Sequence, residues 1–288
     1  MPNIYFPHLN LSFNINSVAF EIFGLAIYWY GIIITTGIVG GLFMSAHMAK
    51  KEKLDPDIVF DFVLYDLIFA IIGARIYFVA FNWDYYGQNI KEIFNLRGGG
   101  IAIYGAIIAS VIVASIYCKI YKINLWQLGD IAAYGLLVGQ IIGRYGNFAN
   151  KEAFGDYTNN VFAMCLLKSE VTAPLTQTIL DNIVFEYGAE YIQVHPTFLY
   201  ESMWNMLVLA CLLLYYPNKK KHGEIFFLYI TGYGIGRFWI EGLRTDQLIL
   251  NTLNMPASQV VAILSIILGI AGYISCRKDK TFDNLIRY

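Results

Sequence analysis

Seven runs of mostly apolar residues, at 21–47, 57–81, 98–118, 127–149, 196–216, 224–243 and 256–276, follow one another along this 288-residue chain. A helix crosses the hydrocarbon core of a bilayer with about 20 such residues, so each run is long enough. Within hydrocarbon every backbone N–H and C=O must find its partner inside the segment, which selects helices over open sheets. The expectation is an all-α polytopic membrane protein, a single membrane domain over residues 1–288 with about seven transmembrane helices. Composition agrees: 57% of residues are hydrophobic and 14% charged, where a soluble domain carries about 25% charged residues. A formal net charge of -1 leaves no basic field for nucleic acid; the bilayer itself is the expected partner. Cys118, Cys165, Cys211 and Cys276 show no C-x-x-C or Cys/His spacing suited to a metal or a redox pair. The first twenty residues hold no Lys or Arg, unlike a cleavable signal peptide, so the first helix is expected to direct insertion itself.

The basic residues between the runs set an orientation. Twelve of them (Lys50, Lys51, Lys53, Lys119, Lys122, Lys219, Lys220, Lys221, Arg277, Lys278, Lys280 and Arg287) follow runs 1, 3, 5 and 7. Only five (Lys91, Arg97, Lys151, Lys168 and Arg244) lie in the other joins. Positive charge stays in the cytoplasm, so the N-terminus is expected outside and the C-terminus inside. Residues 1–20 then form an extracytoplasmic N-terminal segment, and residues 150–195 a small extracytoplasmic cap or arm between spans 4 and 5. No internal repeat of the kind that builds inverted-repeat transporters is present.

The remaining arginines, Arg75, Arg144 and Arg237, fall inside the runs. A charge there is costly unless it meets protein, water or a partner, so each is a candidate functional residue. On the expected orientation all three lie in the outer half, and so do Tyr30, Tyr104 and Glu201 from the oppositely directed spans. The inner half offers mainly Asp61, Asp66 and Asp130, which points to a pocket open to the outer leaflet. Tyr233, Arg237, Glu241 and Arg244 make one helical stripe. They form either a structural ion pair that locks helices or, with Arg144, a grip on a phosphodiester, whose oxygens match the planar guanidinium fork. At the end of span 4, Asn147, Asn150 and Glu152 are placed to orient glycerol hydroxyls or to cap a broken helix end. Gly98-Gly99-Gly100 before Tyr104 is either an irregular helix start with N–H groups facing an anion or a plain tight turn. His195 reads as an interfacial residue or a catalyst, while Glu201, inside span 5, requires a partner such as an arginine.

Taken together, Gly143-Arg144-x-Gly146-Asn147-Phe148-x-Asn150-x-Glu152, His195-Pro196 through Tyr200-Glu201, Tyr30-Gly31, and Gly236-Arg237-Phe238 with Glu241 and Arg244 resemble the phosphatidylglycerol:prolipoprotein diacylglyceryl transferase family, from about residue 25 to residue 275. The resemblance implies a transferase of the bacterial plasma (inner) membrane with its site facing the outer leaflet. Its partners are phosphatidylglycerol and a prolipoprotein signal peptide carrying a lipobox cysteine. Diacylglycerol passes to the cysteine thiol, a thioether forms and glycerol 1-phosphate leaves. By the same resemblance Arg144 binds the phospholipid and Arg144 and Arg237 are catalytic; Tyr104 is the third catalytic candidate, either accepting a proton if nearby arginines lower its pKa or orienting the thiol or phosphate by hydrogen bonding. Tyr30, Asn147, Asn150, Glu152, Tyr233, Glu241, Arg244, His195 and Glu201 join Arg144 in substrate binding. No metal or soluble cofactor is called for. Family members carry histidine where this chain has Tyr104, and a phenol with a pKa near 10 is a poor base at neutral pH. The alternative from another class is a multi-pass transporter of an anionic substrate, which predicts an opening on the cytoplasmic side.

Overall fold

The computed structural model describes residues 1–95, 99–250 and 253–278, so Arg97, Gly98, Lys280 and Arg287 lie outside the described residues. The chain opens in strands, β1 (Ile4–Phe6), β2 (Leu11–Phe13), β3 (Val18–Ile22) and β4 (Leu25–Tyr28). It continues through α1 (Trp29–Lys51), α2 (Asp57–Phe81), the single turn α3 (Trp83–Tyr86), α4 (Ile103–Tyr121) and α5 (Leu125–Asn150). After α5 come β5 (Met164–Leu167), the short α6 (Gln177–Leu180), β6 (Val184–Glu186) and β7 (Ala189–Val194). The last part holds α7 (Thr197–Tyr215), α8 (Glu224–Glu241), β8 (Ile249–Leu250), β9 (Met255–Pro256) and α9 (Ala257–Lys278).

Six helices, α1, α2, α4, α5, α7 and α9, are long and apolar enough to cross a membrane. The remaining long helix, α8, has 18 residues, includes Glu224, Arg237 and Glu241, and packs against α5, α7 and α9. Small residues bring the helices together. A Cβ added at Gly41 would stand 2.6 Å from the carbonyl oxygen of Gly135, so α1 and α5 touch backbone to backbone. Close approach at small residues is how helices associate where no hydrophobic effect drives them.

The all-α expectation needs amending at one end of the bundle. The run at 21–47 is helical only from Trp29, because Val18–Ile22 and Leu25–Tyr28 form a hairpin instead. Phe23 (φ 50°) and Gly24 (φ 77°) both take left-handed backbone, the requirement of a two-residue hairpin turn. The run at 98–118 likewise becomes helical only at Ile103, after Gly99 and Gly100 with φ of 81° and 78°. The N-terminal segment and the segment between α5 and α7 are also one unit: they share an antiparallel sheet in the order β2-β1-β5-β7-β6. Ile4 pairs with Leu166 across that seam. Its core of Ile4, Phe6, Phe154, Met164, Leu166, Ile179, Ile192 and Val194 includes Phe198 of α7, whose ring lies 4.6 Å from that of Phe148 in α5. The sheet is therefore seated on the bundle, at the end where α5 leaves and α7 enters.

At the opposite, lysine-rich end Asp130 of α5, 1% exposed, accepts hydrogen bonds from the N–H groups of Gly223 (2.7 Å) and Phe226 (2.8 Å). It thereby satisfies donors that the start of α8 leaves free. Lys219 reaches Asp130 at 3.0 Å and also pairs with Glu52. Glu224, fully buried, accepts the Tyr215 hydroxyl proton (2.5 Å) and the N–H groups of Lys220 (3.3 Å) and Lys221 (3.1 Å).

Candidate active site

Three helices meet at one carboxylate beneath the sheet. Glu201, in the second turn of α7 and 4% exposed, binds Arg144 of α5 through Oε2 (2.5 Å) and Arg237 of α8 through Oε1 (3.2 Å). Arg237 turns its other nitrogen to Glu241 one turn on, at 2.6 Å. Glu241 lies 4.0 Å from Arg244, which grips Asp246 with two N–H groups at 2.9 and 2.7 Å. A line of alternating charge thus runs Arg144, Glu201, Arg237, Glu241, Arg244, Asp246. Removing an ion from water costs several kcal/mol even after relaxation, and an opposite charge at hydrogen-bond distance offsets this. The line therefore satisfies the partner that Glu201 required. The arginine side chains keep 21% (Arg144), 17% (Arg237) and 13% (Arg244) of their surface, against 4% for either glutamate. Burial raises the Asp246 carboxyl, but the Arg244 hydrogen bonds and charge outweigh it and hold Asp246 below the usual carboxylate range.

Around this line, Asn147 and Asn150 both donate to Oε1 of the exposed Glu152, at 3.0 and 3.4 Å. α5 ends at Lys151 in left-handed backbone; the Lys151 ammonium is buried, bound to the Ile15 carbonyl (2.9 Å) and Glu170 (2.9 Å). The next residues strap the site together: Gly155 N–H donates to the His195 carbonyl (3.0 Å), and Asp156 N–H to the Leu243 carbonyl (2.9 Å). A Cβ at Gly155 would come within 2.7 Å of both His195 Cβ and Leu243 O. His195 Nδ1 lies 3.3 Å from the Tyr200 hydroxyl, which accepts from Asn160 at 2.8 Å. Burial pushes the His195 imidazole below its ordinary pKa, with the Asp156 charge opposing in part; it is neutral at neutral pH. Tyr30 lays its ring on Gly146, whose Cβ would sit 2.9 Å from Cδ2 of the ring. Tyr30, Gly31, Thr35 and Thr36 with Ile27 and Asn150 line an open groove of about 710 Å³ between β4, α1 and the end of α5.

The structure thus gathers Arg144, Glu201, Arg237, Glu241 and Arg244, with Asn147, Asn150 and Glu152 as a second group. Two expected members stand apart from the charge line. Tyr233 stacks on Tyr229 (centroids 6.0 Å apart), and Tyr104, 37% exposed, has no hydrogen bond or ion pair to the line among the described residues. Arg75 changes meaning altogether. Its guanidinium donates to the carbonyls of Glu92 (2.5 Å), Ile93 (2.8 Å), Asn95 (3.2 Å), Gly99 (2.9 Å) and Gly100 (2.7 Å), and lies 5.0 Å from the Tyr86 ring centroid. With all five donors spent on backbone it clamps the lead-in to α4. The Gly99 and Gly100 carbonyls face a cation. Sequence reading missed Lys151, Gly155 and Asp246; only Asp246 had a local signal, two residues after Arg244.

A bundle of long apolar helices that holds a buried arginine–carboxylate line near one end defines the class: a multi-pass membrane protein. The family model described as prolipoprotein diacylglyceryl transferase matches residues 17–275. A phosphatidylglycerol--prolipoprotein diacylglyceryl transferase of Finegoldia magna is 41% identical over 263 residues, covering 91% of this chain and 96% of its own. Proteins of the same name from Listeria welshimeri (40% over 266 residues; 92% and 91% covered) and Clostridioides difficile (39% over 263 residues; 91% and 96%) are similar to it as well. The chain belongs to the prolipoprotein diacylglyceryl transferase family.

Proposed function

We propose that this protein transfers the diacylglyceryl group of phosphatidylglycerol to the thiol of a prolipoprotein's lipobox cysteine, forming a thioether and releasing glycerol 1-phosphate, the first step of bacterial lipoprotein maturation. The observation that carries this reading is the meeting of Arg144 and Arg237 on one carboxylate of α7, with part of each arginine side chain left exposed. The sulfur attacks the glyceryl carbon, the carbon–oxygen bond breaks, and its electron pair stays on the phosphate. Arginines already aimed at that phosphate stabilise the charge as it gathers, a contribution worth about 2.7–4 kcal/mol per donor in other enzymes. The groove at Tyr30 and Asn150 takes the apolar part of the lipid, while Asn147, Asn150 and Glu152 address its glycerol hydroxyls. A cysteine thiol with a pKa of about 8.5 is a few per cent ionised at pH 7, and Tyr104 orients it by hydrogen bonding. In this reading the sheet end faces outward and the lysine-rich end the cytoplasm, α8 is the seventh span, and the site opens to the outer leaflet of the bacterial plasma membrane.

Purified protein supplied with phosphatidylglycerol and a lipobox peptide releases glycerol 1-phosphate, and Arg144→Ala slows the release by about a hundredfold or more; a folded wild-type sample that releases none would end the proposal.

A further inference from the structure

The charge line raises a question that phosphate binding alone does not answer. Three guanidiniums gather beneath the sheet, yet three carboxylates neutralise them in full. Glu201 is the central one. It is 4% exposed and commits one oxygen to each arginine, so a single carboxylate stands between the two guanidiniums. The proposed reaction begins with a phosphodiester bearing one negative charge. It ends with a phosphomonoester whose second ionisation, near pH 6, gives it almost two at neutral pH. Cleavage thus adds a negative charge at the arginines. An uncompensated cluster would hold the dianionic product far more tightly than the substrate, since attraction scales with the product of the charges.

We infer that Glu201 is a positioning and specificity-determining residue: it spaces Arg144 and Arg237 and sets their net charge so that the site takes a phosphate monoanion and lets the dianion go. The inference rests on the proposed function. The charged groups facing Glu201 are Arg144 from α5 and Arg237 from α8, with Glu241, Arg244 and Asp246 beyond; His195 and Tyr200 precede it at the start of α7.

The test uses the full chain in phosphatidylglycerol-containing nanodiscs, comparing wild type, Glu201→Gln and Glu201→Asp. The inhibition constant of glycerol 1-phosphate is measured against the KM for phosphatidylglycerol, at about pH 7.5 and about pH 5.5, on either side of the monoester's second ionisation. Glu201→Gln is expected to lower the ratio of inhibition constant to KM roughly tenfold at the higher pH, where one unit of charge is uncompensated. The gain shrinks at the lower pH, where the product is mostly a monoanion, and Glu201→Asp restores the wild-type ratio. His195 titrates in both proteins, so its effect cancels in the comparison. A ratio unchanged at both pH values, or a loss of activity without tighter product binding, overturns the inference. If Glu201→Gln does not fold, Glu241→Gln removes the other carboxylate on Arg237, and direct binding of glycerol 1-phosphate to it must tighten in the same pH-dependent way or the inference falls. Wild type that binds glycerol 1-phosphate but releases none from phosphatidylglycerol would instead remove the proposed function.

Discussion

The two ends of the bundle are built from the same ingredients and use them differently. At the lysine-rich end Asp130 and Glu224 are 1% and 0% exposed, and their oxygens go to backbone N–H groups as well as to side chains. Such a network holds a helix start and a turn in place. At the sheet end the carboxylates bind guanidiniums, and the arginine side chains keep between 13% and 21% of their surface. Arg75 marks the boundary between the two uses, since it lies at the sheet end yet spends every donor on carbonyls. Whether a buried charge is structural or available to a ligand is thus read from where its hydrogen bonds go, and not from its depth.

Four experiments break or sharpen that contrast. Asp130→Ala strips two helix-start N–H groups and Lys219 of their partner and is expected to cost about 3–5 kcal/mol of stability, as when a buried ion pair loses one member. Denaturant unfolding in bicelles reads the loss, and the contrast fails if the folded fraction also loses its specific activity. Arg144→Ala should weigh the other way, reducing kcat/KM by roughly a hundredfold to a thousandfold with a smaller loss of stability than Asp130→Ala, because Glu201 keeps Arg237; an equal loss of stability would make the arginine line structural. Gly41→Ala tests the scaffold that both ends share, because the new Cβ meets the Gly135 carbonyl. Forcing α1 from α5 should cost about 1–3 kcal/mol and lower the melting temperature without altering the ratio of substrate KM to product inhibition. The smallest effect concerns pH. His195 has a folded pKa below its unfolded value of about 6.5, so its share of stability is complete above that pH and is lost as the pH falls through the folded value. A melting curve of His195→Gln should show a shallower loss over that window than wild type, and identical slopes would show that the imidazole does not titrate as its burial implies.

The residue pattern alone carried much of this molecule. Run 2 matches α2 at residues 57–81 in full, and the stripe Arg237, Glu241, Arg244 is a contiguous set of contacts, because helical period and apolar length are local properties of the chain. The Arg144 segment announced itself by a density of polar residues at the end of a span. Elsewhere local signals misled. Val18–Ile22 and Leu25–Tyr28 are as apolar as the helix they precede, and only the two left-handed residues of the turn between them mark a hairpin in place of more helix. Strands of three to six residues escape a hydropathy window wide enough to find helices.

By itself, then, the sequence determined that the chain crosses a membrane in long helices, which residues share a helical face, and where costly charges sit, since each follows from neighbours within a turn or two. Tertiary structure alone decided that Ile4 pairs with Leu166, that Arg75 clamps a loop, and that Glu201 divides itself between Arg144 and Arg237. Those outcomes depend on which groups from distant segments arrive at hydrogen-bond distance once the helices pack, and no local pattern encodes where a donor will find its acceptor.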